Sequence, residues 1–230
     1  MLYVLATPIG NLEDLSARAL AILREADAIV SEDTRTTHKL LTRYDIHKPM
    51  IAYFQHSPPR RLEEILQRLM SGQKIALVTE SGTPAVSDPG ARLVDAAFAA
   101  GIKVIPIPGA SAVAVAASVS GFGADAFHFA GFLPRKPGKR RKTLEALGAL
   151  GVTLIVFESP YRVAATLEDM LTVLGDRRLT VCREVTKLHE EVWRTTVGKA
   201  AERYKTEEPR GEFTLAIEGS KTDLEPEEIG

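Results

Sequence analysis

The chain has 230 residues, 45% of them hydrophobic and 26% charged, an ordinary globular balance that suits one large core or two modest ones. A net charge of -1 excludes attraction of nucleic acid by the molecule as a whole, so any RNA contact has to come from a local basic patch. The single cysteine, Cys182, excludes an intrachain disulfide framework and a cysteine metal cluster, and its apolar, strand-like neighbours predict a buried structural thiol.

The chain opens on a predicted strand, Tyr3–Ala6, with no secretory signal pattern ahead of it. A helix follows over Ser16–Glu25, with Leu15, Ala19, Ile22, Leu23 and Ala26 on one face. The strand Ala28–Ser31 runs into Glu32-Asp33-Thr34-Arg35, a helix start that Asp33 or Thr34 would cap, the acids complementing the helix dipole. Next come a strand at Met50–Tyr53, a helix at Arg61–Met70, a strand at Ile75–Thr79, a helix at Ala91–Ala100 and a strand at Val104–Pro106. This alternation predicts a parallel or mixed sheet with helices on both faces.

After the small-residue stretch Pro108–Gly123 a second series begins. Its strands are predicted at Phe127–Gly131, Thr153–Glu158, Leu179–Glu184, Glu191–Thr196 and Phe213–Glu218, and its helices at Lys139–Leu147, Tyr161–Leu174 and Gly198–Lys205. The late strands stand close together without long helices between them, which predicts a partly antiparallel sheet. The expected organisation is therefore two α/β domains, residues 1–112 and 113–220, with a frayed acidic tail at 221–230. The longest apolar run, Ala110–Val119, is too short and too polar to span a bilayer, which points to a cytoplasmic protein with no membrane partner.

Ligands of open α/β sheets bind beyond the carboxyl ends of the strands. Thr7–Asn11, Glu32–Thr36, Glu80–Gly90 and Pro108–Ala112 follow the first, second, fourth and fifth strands, and they are dense in Gly, Pro, Ser and Thr. Singly each is a plain turn; together at one sheet edge they offer backbone groups to a ligand. Neither a dinucleotide nor a P-loop fingerprint occurs. Glu158-Ser159-Pro160-Tyr161-Arg162 repeats the acid, helix start and arginine arrangement in the second half, and Arg183-Glu184-Val185-Thr186-Lys187 ends a third strand with mixed charge. Capped helix starts and surface ion pairs are the alternative readings of these runs. Arg135-Lys136-Pro137-Gly138-Lys139-Arg140-Arg141-Lys142 holds six cations in eight residues, either a solvated basic turn or a track for phosphate oxygens. Phe129 and Phe132 beside it are core residues or base-stacking faces. The five scattered histidines predict no metal site.

Ala6-Thr7-Pro8-Ile9-Gly10-Asn11-Leu12, Glu32-Asp33-Thr34-Arg35, Ser81-Gly82-Thr83-Pro84 with Ser87-Asp88-Pro89-Gly90, Pro108-Gly109-Ala110-Ser111-Ala112, Gly131-Phe132-Leu133-Pro134, Glu158-Ser159-Pro160 and Arg183-Glu184-Val185-Thr186-Lys187 stand in one order. Together they resemble the ribosomal small-subunit RNA methyltransferase I group of the tetrapyrrole methylase superfamily. The chain departs from that pattern at Glu80-Ser81, at His56-Ser57-Pro58 and at Tyr161.

The resemblance implies a class III methyltransferase of two α/β domains with S-adenosyl-L-methionine in the cleft between them. It also implies a homodimer and transfer of a methyl group to the ribose 2′-oxygen of a decoding-centre cytidine in 16S rRNA, within the small ribosomal subunit. The candidate catalytic residues are then Glu32, Asp33, Arg35, Glu158, Arg162, Glu184 and Lys187, with a carboxylate or a deprotonated lysine as base. The candidate cofactor residues are Pro8, Glu80, Ser81, Gly82, Ala85, Val86, Ser111, Ala112, Phe132, Leu133, Thr214, Leu215 and Ala216. The candidate RNA-binding cations are Arg135, Lys136, Lys139, Arg140, Arg141 and Lys142. Two rival readings are a tetrapyrrole C-methyltransferase of the same fold and a non-enzymatic RNA-binding module of the ribosome. The basic run speaks against the first and the four small-residue loops against the second.

Overall fold

The computed structural model describes residues 1–87, 90–123 and 125–220. Asp88 and Pro89 of one quoted motif, and the tail 221–230 for which fraying is expected, lie outside the described residues. The chain forms two compact units, Met1–Ser111 and Ala112 onward.

In the first unit β1 (Leu2–Leu5), β2 (Ala28–Ser31), β3 (Met50–Ala52), β4 (Ile75–Leu77) and β5 (Val104–Ile107) form one sheet in the order β3-β2-β4-β1-β5. Every pairing in it is parallel. Side chains alternate across a strand, so each strand feeds two cores. Tyr3, Leu5, Ile29, Ala76 and Ile107 meet α1 (Ala17–Glu25) and α2 (Thr34–Arg43) through Ala19, Leu23 and Leu41. Leu2, Ala28, Val30, Ile51, Ile75 and Leu77 meet α3 (Pro59–Met70) and α4 (Ala91–Ala99) on the other face through Ile65, Leu69, Leu93 and Ala97. Local chemistry sets the helix starts. The Ser16 hydroxyl accepts from the Ala19 N–H at 3.1 Å, and Pro59 opens α3 where no helical N–H is needed.

One consequence positions a site. The chain leaves β1 and β2 toward the face of α1 and α2, but leaves β4 toward the face of α4. Strand β4 lies between β2 and β1, so the connections diverge on both sides of it, where open α/β sheets form ligand crevices.

The second unit starts with α5 (Ala112–Ser120) and continues through β6 (Phe127–Phe132), α6 (Pro137–Gly148), β7 (Thr153–Glu158), α7 (Val163–Leu174), β8 (Arg178–Arg183), β9 (Glu191–Thr196), α8 (Val197–Thr206) and β10 (Phe213–Ile217). The sheet order is β6-β7-β10-β8-β9; only β6 and β7 are parallel neighbours, so the sheet is partly antiparallel as expected. Leu144, Val163, Leu167, Met170, Ala200 and Ala201 of α6, α7 and α8 cover one face. The other face holds Ile155, Cys182 and Ala216 beneath Val113, Ala116 and Ala117 of α5. Cys182 is a buried free thiol that burial pushes up to about 11, the inert structural cysteine its neighbours predicted.

Helix α5 was not expected. Its seam Val113, Ala116, Ala117 and Ser120 has helical spacing but sits among neighbours just as small, so no polar stripe marks the period. No helix among the described residues is long and apolar enough to cross a membrane.

Candidate functional site

Because the first sheet is wholly parallel, the loops after β1, β2, β4 and β5 all leave its carboxyl edge. Three of them are stitched together. The Thr7 N–H donates to the Gly82 carbonyl at 2.8 Å, and the Gly82 N–H returns a bond to the Thr7 carbonyl at 3.1 Å. The Thr7 hydroxyl donates to the Thr79 carbonyl at 3.1 Å, and the Thr83 hydroxyl donates to the Ala110 carbonyl at 3.3 Å. This closeness requires glycine: Gly82 has φ +83° with Ile9 3.3 Å from where a Cβ would stand, and at Gly109 a Cβ would meet that of Ala6 at 3.0 Å.

Beyond Gly82 two non-glycine residues take left-handed backbone, Ala85 at φ 67° and Ser87 at φ 64°. Each such residue costs about 1–3 kcal/mol and persists only where its surroundings enforce it, which is typical of ligand clamps. Of the candidate cofactor residues, Pro8, Glu80, Ser81, Gly82, Ala85, Val86 and Ser111 all lie in these loops. Pro8 and Gly82 are buried, whereas Glu80, Ser81 and Val86 are exposed.

Asp33 caps α2, as its position predicts. Its Oδ1 accepts from the Arg35 N–H at 2.8 Å, and its Oδ2 accepts from the Arg35 Nη2 at 2.8 Å. The Arg35 side chain and N–H hold the Asp33 carboxyl at about 2. Such a carboxylate is too weak a base to take a hydroxyl proton near neutrality. Arg35 also feels Glu80 on the neighbouring loop. Glu32, one residue earlier, lines a cavity of about 400 Å³ with Tyr53, Phe54, Gln55, Ser87, Ala91 and Arg92.

The second unit has an edge of its own. Register places Phe132 beside Phe157, and Phe213 beside both Glu158 and Arg183, so the ends of β6, β7 and β8 lie together with the start of β10. Glu158, Arg162, Glu184, Lys187, Phe132 and Leu133 therefore gather along one sheet edge. Glu158 is buried at 2% exposure and its carboxylate is engaged on both oxygens. Oε1 accepts from the Ser159 N–H at 2.8 Å, while Oε2 accepts from the Thr166 hydroxyl at 2.7 Å and lies 3.3 Å from the Arg162 Nη2. Arg162 in turn donates to the Leu133 carbonyl at 2.6 Å, tying the β6 loop to α7. Glu158 is thus a buried structural anchor and presents no open oxygen, contrary to its expected place among the catalytic acids.

Lys187 donates to Glu184 Oε1 at 2.9 Å and to Glu212 Oε2 at 2.8 Å. Burial pulls the lysine down, but the two carboxylates outweigh it and hold its pKa above the ordinary value. Burial likewise pushes Glu184 up, but the Glu212 N–H and Lys187 outweigh it and keep the carboxyl low. Lys187 as a neutral base, one of the expected options, is therefore corrected: the ammonium stays charged. The backbone bends sharply here, with Glu184 at φ 49° and Thr186 at φ 67°.

The basic run divides. Arg140 is 4% exposed and sits 2.6 Å from Asp169, and Arg141 binds the other oxygen of the same carboxylate at 2.5 Å. Arg140 is a core ion-pair residue and leaves the expected RNA track. Arg135, Lys136, Lys139 and Lys142 are exposed and have no carboxylate partner among the described residues. Of the remaining cofactor candidates, Ala112 opens α5, and Phe132 projects from the sheet edge against Phe157 at 5.7 Å. The Thr214–Ala216 run lies inside β10: Leu215 and Ala216 are wholly buried in opposite cores, so their side chains are closed to a ligand.

Residues Tyr53, Phe54, Gln55, Arg92 and Glu212 were missed. The loop after the third strand has none of the glycines found after the first, fourth and fifth strands and none of the charge pattern found after the second, and Glu212 precedes a strand instead of following one.

Residues 1–201 match the family described as Tetrapyrrole (Corrin/Porphyrin) Methylases. The chain is 46% identical over 228 residues to the ribosomal RNA small subunit methyltransferase I of Halalkalibacterium halodurans, covering 99% of this chain and 79% of that protein. It is 44% identical to the protein of the same name from Thermotoga maritima, covering 96% of this chain and 99% of that one. Among solved structures, diphthine synthase is similar with TM-score 0.73 at 14% identity, covering 95% of this chain and 89% of that one. The methyltransferase CobJ is similar with TM-score 0.69 at 19% identity, covering 95% of this chain and 94% of that one. At such identities the structural likeness concerns the fold alone.

Proposed function

The chain belongs to the tetrapyrrole methylase family and, within it, to the ribosomal RNA small subunit methyltransferase I proteins, and from that premise we propose that it methylates the ribose 2′-oxygen of a decoding-centre cytidine in 16S rRNA. It is a methyltransferase, and ribosomal RNA is its substrate class. The finer reading includes S-adenosyl-L-methionine as donor, the small ribosomal subunit in the cytoplasm as the substrate particle, and a homodimer as the working form.

The observation that carries the RNA reading is the set of exposed cations Arg135, Lys136, Lys139 and Lys142, without a carboxylate partner among the described residues, in a chain of net charge -1. Cations clustered in this way suit the closely spaced phosphates of a polynucleotide. The stitched loops of the first unit suit the donor. Gly82 permits close backbone approach, the left-handed turns at Ala85 and Ser87 stiffen the loop, and the exposed Glu80 sets a negative charge where a sulfonium would be attracted. When bound, S-adenosyl-L-methionine supplies an electrophilic methyl group.

The protein's share is to align the hydroxyl and manage its proton. An ammonium has three N–H donors, and Lys187 gives one each to Glu184 and Glu212. The third donates to the 2′-oxygen and stabilises the negative charge that develops as its proton leaves. Water or the largely exposed carboxylate of Glu212 takes that proton.

The test is methylation of small subunits that lack the modification, using isotopically labelled donor and mapping the product. Label on the ribose of one cytidine is expected. Label on a base, or on a tetrapyrrole in preference to the subunit, overturns the reading. Lys187→Ala should lower kcat at least a hundredfold with donor affinity kept.

A further inference from the structure

We infer that the cavity at the carboxyl ends of β2 and β3 is the pocket that holds the acceptor pyrimidine, with Phe54 as its stacking face and Glu32 as the reader of the cytosine amino group. The inference rests on the RNA reading above and specifies which residues of the first unit select the nucleotide.

The cavity, about 400 Å³, falls within the ~300–1,000 Å³ typical of small-ligand sites. It opens where the connections of β2 and β4 diverge to opposite faces of the sheet, the position at which such sheets bind ligands. Its lining combines what a nucleotide requires. Phe54 leaves 44% of its surface open beside the buried core Tyr53. Glu32 supplies a carboxylate, Gln55 an amide, Ser87 a hydroxyl and Arg92 a guanidinium. Tyr53 forms the wall: its N–H is fixed to the Ser31 carbonyl at 2.8 Å, and its phenol is pushed up by burial, against which Arg92 pulls down.

The pocket is also pre-formed. The Phe54 N–H donates to the Ser57 hydroxyl oxygen at 2.9 Å and the Ser57 N–H donates to the Phe54 carbonyl at 2.9 Å, so the Phe54–Ser57 turn is locked at both ends. Pro58 and Pro59 then stiffen the entry into α3. On the opposite wall the left-handed Ser87 holds the β4 loop in one shape. Aromatic, amide and carboxylate groups lining one cavity match a base taken out of its stack. An exposed ring accepts any base face, a carboxylate accepts from the N4 amino group of cytosine, and an amide donates to its ring acceptors. Arg92 suits the attached phosphate. Uracil presents O4 in place of the amino group and would set an acceptor against the Glu32 carboxylate, so the pocket should reject it.

The experiment compares unmodified small subunits carrying either the natural cytidine or a uridine at the target position. Wild-type enzyme should prefer cytidine. Glu32→Gln should narrow that preference at least tenfold, because an amide can donate to O4 of uracil. Phe54→Ala should raise KM for the subunit about tenfold with kcat and donor affinity retained. An unchanged cytidine-to-uridine ratio in Glu32→Gln overturns the inference, as does equal loss on both substrates, which would assign Glu32 to the chemistry instead. Wild-type KM in Phe54→Ala also overturns it. Failure of the wild-type enzyme on both subunits would instead bring down the ribosomal RNA reading itself.

Discussion

Glu158→Gln separates a catalytic carboxylate from a structural one. The substitution keeps the shape of the side chain and removes its charge. Glutamine can still accept at one position, and the Thr166 hydroxyl can turn its lone pair to the new amide, so two of the three contacts survive. What is lost is charge at a site where the side chain is fully buried, together with the acceptor for either the Ser159 N–H or the Arg162 guanidinium. Hydrogen bonds to charged groups contribute about 1.5–3 kcal/mol each, and Arg162 is left with the Leu133 carbonyl alone. A cost of about 3 kcal/mol follows, which for a chain of this size lowers Tm by about 6–12 °C. Calorimetric scanning reads the stability, and initial rates well below both transitions read the chemistry. We expect lowered Tm, retained donor binding and a rate within about tenfold of wild type. An unchanged Tm with a thousandfold loss of rate would falsify the anchor role and return Glu158 to the reaction. Thr166→Val removes a donor to the same buried carboxylate and should cost about 1.5–3 kcal/mol without touching kcat.

Three further outcomes follow from the charge and packing described. Replacing Lys139 and Lys142 by alanine should reduce the slope of log affinity against log salt for RNA by about 1.5, whereas Arg140→Ala should leave that slope alone and cost about 1.5–3 kcal/mol, because the buried Asp169 keeps Arg141 but loses its buried guanidinium partner; binding isotherms at several salt concentrations and thermal melts check the contrast. Asp33 has a lowered folded-state pKa, so its capping contribution is present above the ordinary carboxylate value of 3.8 and disappears as pH falls through about 2. Its carboxyl carbon resonance should titrate near that lower value, and a midpoint near the ordinary one refutes the Arg35 pairing. Gly211 has φ +83° and Glu184 stands where its Cβ would lie, so Gly211→Ala should displace Glu184 from Lys187 and Glu212, costing about 1–3 kcal/mol and lowering kcat. Wild-type stability and kcat in that variant would show that the triad tolerates displacement.

The sequence by itself determined the strands, most of the helices and the loops that crowd the first sheet. These are local properties: β-branched runs, apolar residues at helical spacing, a capping aspartate at Asp33 and small residues where the backbone must approach. The order of motifs also carried the family. Tertiary structure decided what the charged side chains do. In the sequence Arg140 looks like its neighbours Lys139 and Arg141; only the approach of Asp169 from α7 turns it into the core. Glu158 reads as an exposed acid at a strand end until Thr166 and Arg162 close over it. Lys187 becomes a fixed cation only because Glu212, 25 residues further on, reaches it. The cavity around Phe54 assembles residues from two strand ends and a helix start, none of which signals a site alone. The ionisation and exposure of a side chain depend on partners that the fold delivers from distant parts of the chain, and no local pattern records which ones arrive.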